Sequence, residues 1–323
     1  MSDGRPASEA APAITALAGG VGAARMLRGL AAVVEPARIT AVVNTGDDIV
    51  LHGLRISPDL DTVVYTLGGG NDDERGWGLA GETWAAMEAL ERYGGQTWFR
   101  LGDRDLATHL YRTQRLSEQA TLGEVAAEIA ASWRVGVRLL PMSEDRVETR
   151  VTVAGPAPGS STDLGFQEWF VGRGHADPVE RVHFAGAEEA GPAPGVLAAI
   201  AGAERVVICP SNPIVSIGPV LAVPGVGEAV EARRDDVVAV SPIVAGAALR
   251  GPADRLMADL GHEPSVVGVA RFYAPFAACL VVDEADAELA GAVEAEGVRC
   301  VVAPTVMRGP AEAAALARTV LGG

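Results

Sequence analysis

Short, uninterrupted apolar runs alternate with longer stretches of helical period along most of the chain. ITALA (Ile14 to Ala18), ITAVV (Ile39 to Val43), RVVICP, DVVAVSP, ACLVVD and VRCVVAP are apolar throughout and bounded by turn residues, as strands buried on both faces should be. Between them lie segments of helical pattern, among them ARMLRGLAAVV, ETWAAMEALERYG, DLATHLYRTQRL, TLGEVAAEIAASWRVG, GVLAAIAGA and ADRLMADLG. ITALA, a glycine turn, a helix and ITAVV follow one another as a βαβ unit, which implies a parallel sheet. Residues 138–186 break this rhythm. VETRVTVAG and PVERVHFAG alternate polar and apolar positions as half-exposed strands do, with STDLGFQEWFVGRG between them. The pattern therefore predicts an α/β chain: a Rossmann-like parallel sheet with helices on both faces, built from residues 13–137 and 187–323, plus a smaller inserted α+β lobe over residues 138–186. Residues 1–12 (MSDGRPASEAAP) read as a disordered tail.

Composition narrows the chemistry. The 323 residues are 49% hydrophobic but only 5% aromatic, so the core is built mainly of Ala, Val and Leu. The net charge of −16 leaves no footprint for duplex nucleic acid or an anionic membrane surface. No run is long and apolar enough to span a bilayer. All 26 basic residues are arginine, which excludes a Schiff-base lysine and a lysine-bearing phosphate loop. Any phosphate must be held by backbone N–H groups, arginine or a metal. Cys209, Cys279 and Cys300 follow no metal or disulfide spacing and suit small buried positions in a reducing, cytoplasmic compartment.

Three turns at strand ends carry the candidate chemistry. Gly19, Gly20 and Gly22 follow the first strand, where glycine lets a phosphate approach the backbone and the next helix offers free N–H donors; a tight structural turn would use the same residues. Ser211 and Asn212, with Ser216 beyond Pro213, follow RVVICP as a second anion site or a plain helix cap. NTGDDIVLHGLRISPDLDT places Asp47, Asp48, Asp59 and Asp61 after the second strand. Converging carboxylates repel one another, and a divalent cation relieves this: Mg²⁺ takes one or two carboxylates together with substrate phosphates. A charged cluster in WFRLGDRDLATHLYR contributes Arg100, Asp103 and His109, either as a solvated helix start or as part of the site.

GGVGAARML, VVNTGDDIVLHGLRISPDLDTVVYTLGG, RGWGLAGETW, RLGDRDLATHLYRT, PSNPIVSIGPVL and VSPIVAGAALRGPADRLM together resemble the 2-phospho-L-lactate transferase family of coenzyme F420 biosynthesis. The resemblance implies a Rossmann-like dimer that needs Mg²⁺. It implies transfer of a phosphate-linked three-carbon acid from a guanosine diphosphate conjugate to the terminal ribityl hydroxyl of the deazaflavin Fo, with release of GMP. It also implies that Asp61 and Arg100 contact Fo, with Asp103 and His109 in the same segment as further Fo-binding candidates, that Asp48, Asp61 and Arg100 are the catalytic set, and that Asp48 and Asp61 are the candidate Mg²⁺ ligands. Lactate and enolpyruvate donors are both compatible with the residues; for a chain of this type the resemblance favours enolpyruvate, giving dehydro-F420-0. A nucleotide-sugar-binding regulator of the same fold is the competing class. A NAD-dependent dehydrogenase is disfavoured, because GGVGAA lacks the last glycine of the dinucleotide fingerprint and ITAVVN ends without an acid.

Overall fold

In the computed structural model, residues 14–157 and 159–322 are described; the expected tail over residues 1–12 lies outside them. The chain runs β1 (Ile14–Ala18), α1 (Gly20–Val33), β2 (Ile39–Val43), a hairpin of β3 (Ile49–Leu51) and β4 (Leu54–Ile56), then α2 (Pro58–Leu67), α3 (Ala85–Arg92), α4 (Asp105–Ser117) and α5 (Leu122–Ser132). It continues through β5 (Arg138–Pro141), β6 (Glu148–Ala154), β7 (Ser161–Gly165), β8 (Val179–Ala185), α6 (Val196–Gly202), β9 (Arg205–Ile208), α7 (Gly218–Ala222), α8 (Val226–Glu231) and β10 (Val237–Val240). A small hairpin of β11 (Ile243–Val244) and β12 (Ala247–Ala248) precedes α9 (Ala253–Asp259), α10 (Val266–Tyr273), β13 (Cys279–Val282), α11 (Ala290–Ala295), β14 (Arg299–Val302) and α12 (Pro310–Gly322).

Seven of these strands form one sheet in the order β14-β13-β10-β9-β1-β2-β5, and every neighbouring pair is parallel. From β1 the chain winds one way to β2 and β5, then returns to the other side of β1 for β9, β10, β13 and β14. The order therefore reverses between β1 and β9, and the crevice at the carboxyl ends of these two strands is where an open sheet of this kind binds ligands.

Side chains alternate along each strand into two cores. Ile14, Ala16 and Ala18 of β1 face one core with Met26, Leu27 and Leu30 of α1, Val63 of α2, Ile129 of α5 and Leu316 of α12. Leu17 of β1 faces the other, with Ile200 of α6, Val220 of α7, Leu256 of α9 and Val269 of α10. This two-sided burial is why the strands are apolar at consecutive positions. Truncating Leu27, fully buried under the sheet, to alanine would cost about 2–5 kcal/mol.

The inserted region differs from expectation at its start. Arg138–Pro141 is not part of a lobe: it pairs with β2 as an edge strand of the main sheet. The three-stranded antiparallel sheet β7-β6-β8 begins only at Glu148, and its edge strand Ser161–Gly165 was not legible as a strand because STDLG lacks alternation. Val151 and Val153 of β6 point into the same core as Leu17 and Ile208. The insert thus covers one face of the main sheet and shares its core.

Candidate active site

The two turns at the reversal point lock together. Ser211 Oγ donates to the Gly19 carbonyl at 2.8 Å. A Cβ on Gly22 would collide with the Pro210 carbonyl, and one on Gly19 would sit 2.7 Å from Ser216 Cβ and 3.0 Å from Asp59 Oδ2. Gly20 opens α1 with φ +70, a conformation in which a side chain is strained. The glycines are therefore needed for close packing between the turns. Asn212 caps the helical turn that follows: its Oδ1 accepts from Ile214 N at 2.9 Å and Val215 N at 3.3 Å. Its Nδ2 is buried without a partner. Cap geometry is thus established for Asn212, and the free amide group leaves a donor for a ligand.

The aspartates divide into two groups. Asp59 is buried beside the glycine turn. Its Oδ2 accepts from Asn44 Nδ2 at 2.9 Å, and it accepts the Gly20 N–H. Burial pushes its pKa up to about 6, with these two hydrogen bonds pulling the other way. Asp47 is buried with one carboxylate oxygen unpartnered; burial, and then the neighbouring Asp59 charge, hold its pKa well above the carboxylate range. Asn44 organises the loop, since its Oδ1 accepts from Gly46 N at 2.8 Å while its amide reaches Asp59. The insert closes over the same loop: Thr149 N of β6 donates to the Gly46 carbonyl at 2.8 Å.

Asp48 has different partners. Ser57 Oγ, at the start of α2, donates to its Oδ2 at 2.6 Å, and its Oδ1 is buried without a partner. Burial pushes Asp48 up to about 7, against the Ser57 hydrogen bond and the Arg112 charge and with the help of Asp61 and Asp59. Asp48, Ser57, Arg55, Arg112 and Arg146 line a cleft of about 210 Å³.

Asp61 corrects the expected metal set. Arg112 grips both of its carboxylate oxygens, through NH2 and, at 3.1 Å, NH1. Burial opposes the Arg112 charge, but Asp61 and Asp48 outweigh it and raise its pKa. A carboxylate neutralised by a guanidinium is a poor cation ligand, though each oxygen keeps a second lone pair for a hydroxyl. His109, expected on a charged helix start, is buried inside this group: Nδ1 lies 3.7 Å from Asp61 Oδ2 and Nε2 3.1 Å from Asp105 Oδ2. Tyr65 donates to Asp105 Oδ1 at 2.6 Å. Arg112 was missed in the sequence, where it is one of 26 arginines. Its one signal was a cation at the third position after His109, on the same helix face.

The remaining cluster residues have structural partners. Asp103 caps α3 from a distant segment, accepting from Ala85 N and Ala86 N at 2.9 Å each and from Thr83 Oγ1. Glu82 returns the favour for α4, accepting from Arg104 N at 2.9 Å and Asp105 N at 2.8 Å. GETW and LGDRD are thus reciprocal caps. Arg100 is exposed, its guanidinium 4.5 Å from the Trp84 ring centroid.

Whether the residues suit Mg²⁺ can be judged from their oxygens. Among the described residues no three or more His, Cys, Asp or Glu side chains are arranged as a ready metal cage. Mg²⁺ needs fewer, because it keeps water and substrate phosphate in its shell. The unpartnered buried oxygens of Asp47 and Asp48 fit a hard cation; Asp61 does not.

The fold is an open parallel α/β sheet with its polar site at the carboxyl edge, and comparison with known proteins supplies the class. A family model for 2-phospho-L-lactate transferase CofD matches residues 14–306, and the chain belongs to that family. It is similar to phosphoenolpyruvate transferases of Kitasatospora aureofaciens (49% identical, covering 95% of this chain and 96% of that one) and Nocardia farcinica (45% identical, 96% and 94%). The corresponding protein of Mycolicibacterium smegmatis is 42% identical over 95% of this chain and 97% of its own. A crystal structure of a UPF0052 family protein from Bacillus halodurans superposes with a TM-score of 0.60 at 18% identity, covering 95% of this chain and 98% of that one, which supports the fold alone.

Proposed function

We propose that this transferase of coenzyme F420 biosynthesis moves a phosphoenolpyruvyl group from a guanosine diphosphate conjugate to the terminal ribityl hydroxyl of Fo. The hydroxyl oxygen forms a bond to the phosphorus that carries the three-carbon acid. The bond from that phosphorus to the bridging oxygen breaks, GMP leaves with the electron pair, and the hydroxyl proton is lost. The observation that carries this reading is the packing of the glycine turn against Ser211, Ser216 and Asp59 at the reversal point of the sheet, in a chain of this family. The choice of enolpyruvate over lactate is supported by the similarity to phosphoenolpyruvate transferases at 42–49% identity.

The N–H groups at the start of α1 and the free Asn212 amide group offer hydrogen bonds to the donor diphosphate. Asp48, with Asp47, would hold Mg²⁺, which when bound would neutralise charge on the phosphates. Asp61, fixed by Arg112, orients the Fo hydroxyl through a remaining lone pair. Arg100, with Trp84 behind it, offers a guanidinium face to the acceptor ring, flanked by the segment of Asp103 and His109. Homodimer assembly and a cytoplasmic location belong to the same proposal. Among the described residues, no helix is long and apolar enough to cross a membrane.

The test is direct. Purified protein mixed with Fo, the guanosine conjugate and Mg²⁺ should release GMP and give a product whose mass distinguishes enolpyruvyl from lactyl. Binding of a nucleotide sugar without any GMP release would support the regulator class instead.

A further inference from the structure

A group of arginines beside the glycine turn has no part in the site described so far. Arg25 and Arg28 lie on α1, three residues apart and so on one face, and both are half-buried. Arg25, Val21 of the glycine turn, Thr62 next to Asp61, Gly76 and Trp77 line one small recess. Arg250, from the loop after β12, lays its guanidinium over Gly76 so closely that a Cβ there would overlap it. Gly76 has φ +82, so a side chain is excluded on both counts. Arg25 thus lines the recess with Arg250 and Arg28 close enough to act on its charge, in a chain of net charge −16.

Their neutralisation is incomplete. Among the described residues, the ion pair this group makes is Arg28 to Asp73 at 4.0 Å, and Asp73 is exposed. Arg28 Nε is buried without a hydrogen-bond partner. Arg25 has one described hydrogen bond, NH1 to the Met307 carbonyl at 3.3 Å. Burial, and then the neighbouring Arg250, lower the Arg25 pKa. Asp73 acts on Arg25 as well, so one exposed carboxylate stands against three like charges, an arrangement that costs free energy unless a further anion joins them.

We propose that Arg25, Arg28 and Arg250 form an anion subsite continuous with the glycine turn, which holds an oxyanion of the donor. Two donor groups carry that chemistry: the diphosphate of the nucleotide and the carboxylate of the three-carbon acid. The inference rests on the reading of the chain as a transferase of such a donor. It supplies a cationic clamp next to the glycine turn in a protein without lysine.

The experiment is calorimetric titration of the full chain with GDP and, separately, with phosphoenolpyruvate. It compares the parent with Arg25→Gln and Arg250→Gln, each checked for folding by thermal melting. Affinity for at least one probe should fall about tenfold or more in each folded variant, the loss of one or two charge-assisted hydrogen bonds. Loss confined to GDP assigns the diphosphate; loss confined to phosphoenolpyruvate assigns the carboxylate. If Arg25→Gln fails to fold, the exposed Arg250 carries the test. Binding of both probes within twofold of the parent would overturn the subsite, even with GMP release intact. A parent that binds neither probe overturns the subsite; GMP release by that parent leaves the transferase reading standing, and absence of release overturns it as well.

Discussion

Arg112 of α4 holds both carboxylate oxygens of Asp61 on α2, across 51 positions of sequence, with both side chains buried. Asp61→Asn therefore has two consequences. It should lower turnover by two decades or more, about 3 kcal/mol of barrier, if the carboxylate orients the acceptor hydroxyl. It should also destabilise the fold by roughly 3 kcal/mol, because Arg112 is left as a buried cation without its counter-charge. Denaturant unfolding with steady-state kinetics checks both. Adding Arg112→Gln should recover much of the stability and none of the turnover; a folded Asp61→Asn protein with near-parent turnover would remove Asp61 from the mechanism.

Mg²⁺ should raise the melting temperature of the substrate-free protein, and Asp48→Asn should abolish that rise. The expected ligands are the unpartnered oxygens of Asp48 and Asp47. Activity should vanish in chelator and return with Mg²⁺ or Mn²⁺, both hard cations. Full activity in chelator would leave these carboxylates another role.

Without metal, the aspartate loop should make the fold less stable as pH rises. Asp47, Asp48 and Asp59 all have raised pKa values in the folded chain, Asp48 about 7 and Asp59 about 6. Between about pH 4 and 7 the folded state then binds more protons than the unfolded one, so these groups subtract stability on the way up. Asn at position 48 mimics the protonated form. The stability of Asp48→Asn relative to the parent should climb through that window and level off above it. A pH-independent difference would show that Asp48 ionises normally.

Asn212→Ala should cost about 1 kcal/mol of stability, since its Oδ1 caps two N–H groups. If its free amide also meets phosphate, calorimetry should show weakened GDP binding with Fo binding unchanged. A stability loss with unaltered GDP affinity would leave the cap as its whole role.

Gly22→Ala tests the joint between the turns. The new Cβ meets the Pro210 carbonyl, a backbone atom with little freedom to move. The expected cost is about 1–3 kcal/mol, with GDP affinity reduced as α1 is pushed from the Ser211 turn. Parent-like stability would mean the two turns tolerate separation.

Period and composition alone determined the α/β class, the parallel strands and the two-sided core, because consecutive apolar residues in Ile14–Ala18 and Ile39–Val43 can only be buried on both faces. The glycines, the SNP turn and the aspartate loop were equally legible, since turn chemistry is local and each follows a strand. Tertiary structure alone decided what those side chains touch. Arg138–Pro141 looked like the start of an insert because edge strands carry a weak pattern; only its pairing with β2 placed it in the sheet. Asp59 and Asp61 are two residues apart on one helix turn, yet one meets Asn44 and Gly20 and the other meets Arg112. Asp103 reads as part of a charged cluster and in fact caps a helix that ends eleven positions before it. In each case the partner is remote in sequence, and a charge's role is set by the partner that compensates it in the folded chain.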